Sequence, residues 1–126
     1  METEANIKEV CPTSTQELIR RGYLLLDIRE NKEVEQLSFD VPRILNIPMS
    51  ELEERIYELP KDEKIIVVCT TGERSRRVVR FLQLHEFTNF INMKKGLVKW
   101  VQKGFPTKGD TSQIATHICN GDSNCS

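Results

Sequence analysis

One cysteine of this chain stands in a sequence context that suits a nucleophile. Cys69 follows an apolar run, and six residues come after it: Thr70, Thr71, Gly72, Glu73, Arg74 and Ser75. When a cysteine ends a buried strand and a glycine-containing loop leads into a helix, the N–H groups of the loop converge near the sulfur. These donors, the helix dipole and the Arg74 cation favour a thiolate and would also hold an anionic substrate. We therefore predict that Cys69 is a nucleophile and that residues 70–75 form its binding loop.

The elements around Cys69 must place its side chain at one edge of a sheet. Residues 65–68 are four consecutive β-branched residues, which predicts a central, buried strand. Beyond Gly72, apolar residues recur at helical spacing from about residue 75 to residue 85, and Ser75 is placed to cap that helix. The structural alternative is that Cys69 is only a small buried hydrophobic residue at a strand end.

The rest of the chain alternates predicted strands with predicted helices. Short apolar runs predict strands over 23–28, 44–48 and 90–93. Capping boxes predict helices that begin near Ser14, with Glu17, and near Ser50, with Glu53, the second one covering residues 51–59. A further short helix follows Gly96 and ends before Pro106. This alternation indicates an α/β domain with a mostly parallel sheet.

The composition fits one soluble domain. Lys and Arg number 18 and Asp and Glu 19, so no overall charge favours nucleic acid or an anionic membrane as partner. The first six residues are mostly acidic and polar and contain no apolar segment, and no stretch approaches the roughly 18 apolar residues of a membrane span, so we expect a cytoplasmic protein. Four cysteines are too few and too unevenly spaced for a disulfide framework. Residues 107–126 are polar and predict a flexible tail after a domain at 6–106.

Four ordered landmarks resemble the rhodanese domain family. The segment Cys69–Ser75 resembles its Cys-x-x-Gly-x-Arg-Ser loop, and residues 25–30 resemble its Asp-x-Arg strand end. Residues 45–48 resemble its Asn-Ile-Pro segment, and residues 96–106 its closing Gly, Trp, Gly-x-Pro block. The chain departs from the family at residues 37–45, which lack the Gly-His-Ile-Pro-Gly-Ala stretch of many members, so the resemblance predicts no conformation there.

The resemblance implies a five-stranded sheet with helices on both faces and a two-step sulfur transfer. Cys69 would take a sulfane sulfur from a small anionic donor such as thiosulfate and pass it from a persulfide to a thiol or cyanide. By the same resemblance, the amides of residues 70–74 hold the persulfide, and no metal or organic cofactor is needed. Asp27 and Arg29 are expected to support the loop, although an ion pair at a strand end explains them equally well. The length favours a monomer or small homo-oligomer.

Three alternatives stay open at this point. Rhodanese-like phosphatases and arsenate reductases place five residues between cysteine and arginine, whereas four separate Cys69 from Arg74. The shorter loop encloses a smaller anion-binding site. A non-catalytic rhodanese-like module that binds a partner protein would usually lack the cysteine. The tail residues Cys119 and Cys125 are either incidental or thiols that accept sulfur from Cys69, and a zinc site with His117 would need a fourth ligand.

The helix after the loop carries a basic face of three arginines. Arg76, Arg77 and Arg80 lie away from its apolar residues. They are most simply the solvated side of an amphipathic helix, and the alternative is that they steer anionic donors towards the loop.

Overall fold

A parallel five-stranded sheet forms the centre of the protein in the computed structural model, which describes residues 7–112. In chain order the elements are β1 (Glu9–Val10), α1 (Pro12–Arg20), β2 (Leu24–Asp27), α2 (Asn31–Gln36), β3 (Leu37–Phe39), β4 (Ile44–Asn46), β5 (Ile65–Val68), α3 (Glu73–Leu84), β6 (Phe90–Met93), α4 (Gly96–Gln102) and β7 (Thr107–Gly109). Two 3₁₀ helices, Met49–Glu51 and Ile56–Glu58, lie between β4 and β5.

The strand before Cys69 occupies the middle of the sheet, as predicted. The strand order is β1-β6-β5-β2-β4, and every pairing is parallel. All four residues of β5 are buried, because a parallel sheet is covered on both faces and its central strand meets side chains on each side. The carboxyl ends of β2, β5 and β6 therefore lie side by side, which is where sites of open α/β sheets form.

Helices cover both faces of the sheet, which confirms the predicted layering. On one face, Val78, Val79 and Leu82 of α3 pack on β5 together with Leu52 and Leu59 from the segment of 3₁₀ helices. The opposite face is covered by α4 and α1, which bring Leu97, Trp100, Leu18 and Ile19 against β2 and β5. No helix within residues 7–112 is long and apolar enough to cross a membrane.

A second, two-stranded sheet corrects the predicted boundary of the tail. β7 pairs antiparallel with β3, so regular structure continues through Gly109 although we expected a flexible tail from residue 107. The Trp100 indole donates to the Pro106 carbonyl at 2.8 Å, and the Asp40 N–H donates to the same oxygen at 3.1 Å. Tertiary contacts thus anchor a polar segment that composition alone assigns to a tail. This pairing also defines residues 37–39, for which the resemblance predicted no conformation.

Both predicted capping boxes are wrong. α1 begins at Pro12 with Cys11 as N-cap, because proline suits the first helical position, so Ser14 lies inside the first turn. Ser50 caps nothing, since its N–H and its hydroxyl both donate to the carboxylate of Glu30. Turns separate the two 3₁₀ helices where a continuous helix over residues 51–59 was expected.

Candidate active site

The sulfur of Cys69 lies in a cup of hydrogen-bond donors directly beyond β5. Its Sγ accepts from the N–H of Gly72 at 3.1 Å and from the N–H of Ser75 at 3.3 Å. The Ser75 hydroxyl oxygen lies 3.3 Å from the same sulfur. The Cys69 side chain is 0% exposed. Two backbone donors on one buried sulfur stabilise negative charge there, whether a thiolate or a sulfur bonded to it carries the charge.

Two glycines let the loop take this shape. Gly72 has φ +97°, and a Cβ there would lie 2.8 Å from the Lys95 nitrogen. Gly96 has φ +61°, and a Cβ there would lie 2.3 Å from the Thr70 carbonyl oxygen. Because Gly96 permits this approach, the first N–H groups of α4 reach the loop: Leu97 donates to Cys69 O at 2.8 Å, and Val98 donates to Thr70 O at 3.0 Å. The first N–H groups of α4 therefore hold the loop in place through these two hydrogen bonds.

Ser75 faces the sulfur instead of capping α3, which corrects its predicted role. The N-cap of α3 is Gly72, and Ser75 lies in the first turn and is fully buried. Its hydroxyl donates to Asn92 Oδ1 at 2.5 Å, and Asn92 Nδ2 donates to Glu9 Oε2 at 2.8 Å. Glu9 in turn pairs with Arg76 at 3.0 Å. A chain of polar contacts therefore runs from the sulfur through β6 to β1.

Arg74 does not point freely into the cup, because a carboxylate from α2 holds its guanidinium. Arg74 Nη1 lies 3.0 Å from Glu33 Oε1, and Arg74 Nη2 lies 3.1 Å from Glu33 Oε2. The Thr70 hydroxyl accepts a third bond from Nη2 at 3.2 Å. The hydrogen bond from Arg74 lowers the pKa of Glu33, and the same bond raises the pKa of Arg74. The negative charge of a thiolate at Cys69 would also raise the pKa of Arg74.

Asp27 and Arg29 form a buried ion pair at the end of β2. Arg29 Nη2 lies 2.9 Å from Asp27 Oδ2, and Arg29 Nε lies 3.1 Å from Oδ1. Arg29 also donates to the Leu37 carbonyl at 2.8 Å, so the pair ties β2 to β3. The hydrogen bonds of both side chains therefore lead away from residues 69–75, and support of the loop stays a prediction that would act through β2.

The other predicted loop residues line its outer side. Thr71 and Glu73 are exposed, and Glu73 shares a surface groove of about 210 Å³ with Ile7 and three arginines of α3: Arg76, Arg77 and Arg80. The predicted tail thiols, Cys119 and Cys125, lie outside the described residues. Within residues 7–112, no group of three or more His, Cys, Asp or Glu side chains is placed to hold a metal ion.

Three residues of the site were not predicted from the sequence: Glu9, Glu33 and Asn92. Asn92 carried a usable signal, since it is a polar side chain within the otherwise apolar strand 90–93 and buried polar groups need partners. Glu9 and Glu33 carried none, because each is one acidic residue among many and its partner lies 67 or 41 residues further along the chain.

Known proteins resemble this chain over most of the described region. The rhodanese-like domain family matches residues 12–103. A sulfurtransferase of Allochromatium vinosum is 31% identical over 83 residues, which are 66% of this chain and 76% of that protein. The solved structure of a rhodanese-related protein from Thermoplasma volcanium superimposes with a TM-score of 0.72 at 30% identity, covering 82% of this chain and 99% of that one.

A fourth similarity concerns the fold alone. The structure of the homodimeric polysulfide-sulfur transferase of Wolinella succinogenes has a TM-score of 0.73 at 21% identity, covering 86% of this chain and 83% of that one. The predicted resemblance is thus confirmed by sequence and by structure. The chain, with its parallel sheet and its Cys69 loop, belongs to the rhodanese-like domain family.

Proposed function

We propose that this protein is a sulfurtransferase that carries a sulfane sulfur on Cys69 as a persulfide. The observation that carries the proposal is the sulfur cup itself: two backbone N–H groups donate to Sγ, and the Ser75 hydroxyl oxygen lies beside it. Donors preorganised around a buried atom stabilise charge that moves on and off that atom during a reaction. The reaction needs no metal or organic cofactor, and we place it in the cytoplasm.

The first step transfers sulfur from a small anionic donor. The Cys69 thiolate attacks the outer sulfur of thiosulfate, the S–S bond of the donor breaks, and sulfite leaves with the bonding electron pair. The charge moves to the terminal sulfur of the persulfide. Glu73 and Arg74 are the first residues of α3, where N–H groups have no acceptor within the helix, and these amides suit that terminal sulfur.

The second step regenerates the thiolate. A thiolate acceptor, or cyanide, attacks the terminal sulfur of the persulfide, and the sulfur–sulfur bond to Cys69 breaks. The products are the acceptor persulfide, or thiocyanate, and the Cys69 thiolate, which the same donors stabilise. Because Sγ is 0% exposed, each reactant must displace part of the covering loop, and this requirement favours small or slender groups.

The direct test is a transfer assay that compares the wild type with Cys69→Ser and with Cys11→Ser as matched control, since Cys11 is the other cysteine within residues 7–112. With thiosulfate and cyanide, we expect thiocyanate from the wild type and from Cys11→Ser but none from Cys69→Ser. Mass spectrometry of thiosulfate-treated protein should find one added sulfur on the Cys69 peptide. A phosphatase substrate is run in parallel.

Three outcomes would contradict the proposal. Thiocyanate formation that survives in Cys69→Ser would move the chemistry to another thiol. Phosphate release without sulfur transfer would favour the phosphatase alternative. Absence of both activities, with no persulfide on Cys69 from any sulfane donor, would favour a binding module. The same mass analysis tests Cys119 and Cys125, because a sulfur acceptor in the tail would acquire the added sulfur from Cys69.

A further inference from the structure

The cation of the loop is already occupied by a carboxylate of the same chain. Arg74 is the basic residue of the segment 69–75, and both of its terminal nitrogens bind Glu33, at 3.0 Å and 3.1 Å. Such a two-point contact is the strong geometry of an arginine–carboxylate pair. An anionic ligand that approaches the cup therefore meets a neutralised pair instead of a free guanidinium.

The carboxylate in this pair is itself held in place. Glu33 Oε1 accepts the N–H of Glu30 at 2.9 Å, which fixes it to the start of α2. The Glu30 side chain is held in turn by Ser50, whose hydroxyl donates to it at 2.9 Å. Since the pKa of Glu33 is lowered, mainly by its hydrogen bond from Arg74, the carboxylate is charged at neutral pH. At neutral pH, the rim of the site therefore carries this negative charge beside Arg74.

We propose that Glu33 is a specificity-determining residue: by occupying Arg74, it makes the site discriminate against doubly charged sulfur donors and favours donors with a single negative charge. The inference rests on the proposed sulfur transfer at Cys69. A dianion would gain most from a free guanidinium, and it also suffers the larger repulsion from the Glu33 carboxylate. A monoanion forgoes less attraction when Arg74 is occupied, and the Glu33 carboxylate repels it less.

Two donors with the same reacting group separate this effect from the chemistry. In thiosulfate, the Cys69 thiolate takes the outer sulfur and sulfite leaves as a dianion. In methanethiosulfonate, the thiolate takes the equivalent sulfur and methanesulfinate leaves as a monoanion. Each reaction breaks one S–S bond and forms one, and the electron pair of the broken bond leaves with the sulfite or sulfinate. The two donors differ by one charge on the leaving group.

The experiment compares wild type, Glu33→Gln and the matched control Glu35→Gln. Glu35 lies on the same helix, is exposed, and its substitution removes the same charge. The measured quantity is kcat/KM for thiosulfate divided by kcat/KM for methanethiosulfonate. We expect this ratio to rise about two- to fivefold in Glu33→Gln, the effect of a partly exposed charge interaction, and to stay within error in Glu35→Gln. An unchanged ratio in Glu33→Gln, or an equal rise in both variants, overturns the inference.

A second variant and a second measurement keep the test decisive. Glu33→Asp keeps the charge on a shorter side chain, so its ratio should lie between those of the wild type and Glu33→Gln, and a ratio above that of Glu33→Gln contradicts the inference. Protection of Cys69 from iodoacetamide by sulfate measures anion binding without sulfur transfer. If no donor yields a persulfide, the proposed function fails. If sulfate then protects Glu33→Gln no better than the wild type and Glu35→Gln, the role of Glu33 fails separately.

Discussion

The hydroxyl of Ser75 serves two buried partners, and its removal should reduce both stability and activity. The Cys69 thiol donates to Ser75 Oγ at 3.3 Å, and the hydroxyl proton goes to Asn92 Oδ1. Ser75→Ala deletes one oxygen without adding volume. It leaves Asn92 Oδ1 without this donor in a side chain that is 0% exposed. The variant thus tests whether Ser75 connects the Cys69 sulfur to Asn92.

The size of the effect follows from what stays buried. An unsatisfied buried acceptor costs about 1–3 kcal/mol, which lowers the Tm of a domain of this size by roughly 4–15 °C. When Cys69 is a thiolate it has no proton to donate, so the Ser75 hydroxyl can donate to Sγ instead, and Ser75→Ala removes that hydrogen bond during sulfur transfer. Because Asn92 competes for the same proton, we expect less than the roughly 1.5–3 kcal/mol of a hydrogen bond to a charged group, namely about 1 kcal/mol, which is a roughly fivefold lower rate.

A double-mutant cycle supplies the control. Asn92→Leu removes the acceptor, so a protein that also carries Ser75→Ala has no orphaned Oδ1. Urea unfolding should show the double variant to be more stable than the sum of the single losses predicts, by about 1–2 kcal/mol. Transfer in the double variant should stay as slow as in Ser75→Ala or slower. Additivity within about 0.5 kcal/mol would refute the contact chain.

Three further predictions concern the parts around this chain. Gly96→Ala places a Cβ 2.3 Å from a loop carbonyl and should abolish persulfide formation. The control Gly104→Ala is also at positive φ but has no atom within 4 Å of its Cβ, so it should lose only about 1 kcal/mol of stability and keep sulfur transfer. Equal losses of the two variants in calorimetry and in transfer assays would contradict this prediction. Arg29→Met leaves the Asp27 carboxylate buried without its ion pair and should lower the unfolding free energy by about 3–5 kcal/mol in urea titrations, so a loss below about 1 kcal/mol would argue against the pair. Because Arg74 lowers the folded-state pKa of Glu33 below its usual 4.5, the ion pair stabilises the fold above that pH, and this stabilisation is lost as pH falls through the lowered pKa. The stability gap between wild type and Glu33→Gln, small for so exposed a pair, should therefore narrow as pH falls from about 6 into the acid range, and a constant gap would refute it.

The central part of this site was predictable because its signals are local. The β-branched run 65–68, the cysteine and Gly72 are consecutive in sequence, and each has a direct conformational consequence. Such a run suits a strand that is covered on both faces, as in the middle of a parallel sheet, and β5 takes this place. The loop geometry then follows from a strand that must turn sharply into a helix.

The strands that the sequence did not predict are those that form only by pairing. β1 has two residues and β3 has three, too few to show a period, and β7 is a polar segment of three residues. The pairing of β3 with β7 joins segments about 70 residues apart, as in Phe39 with Thr107. Capping motifs misled for a related reason, since the hydroxyl of Ser50 meets a stronger acceptor, Glu30, from 20 residues earlier.

The same distinction separates the proposed nucleophile from the residues that we expect to tune it. Cys69 and its amides come from one continuous segment, whereas the groups that set the charge and proton positions around it come from β1, α2 and β6, where Glu9, Glu33 and Asn92 lie. These elements meet at one edge of the sheet because its strands are parallel, so side chains distant in sequence share that edge. A family loop can therefore be retained while its donor preference changes, through substitutions outside the loop. In this chain, Glu33 is the position at which such a change would act most directly on Arg74.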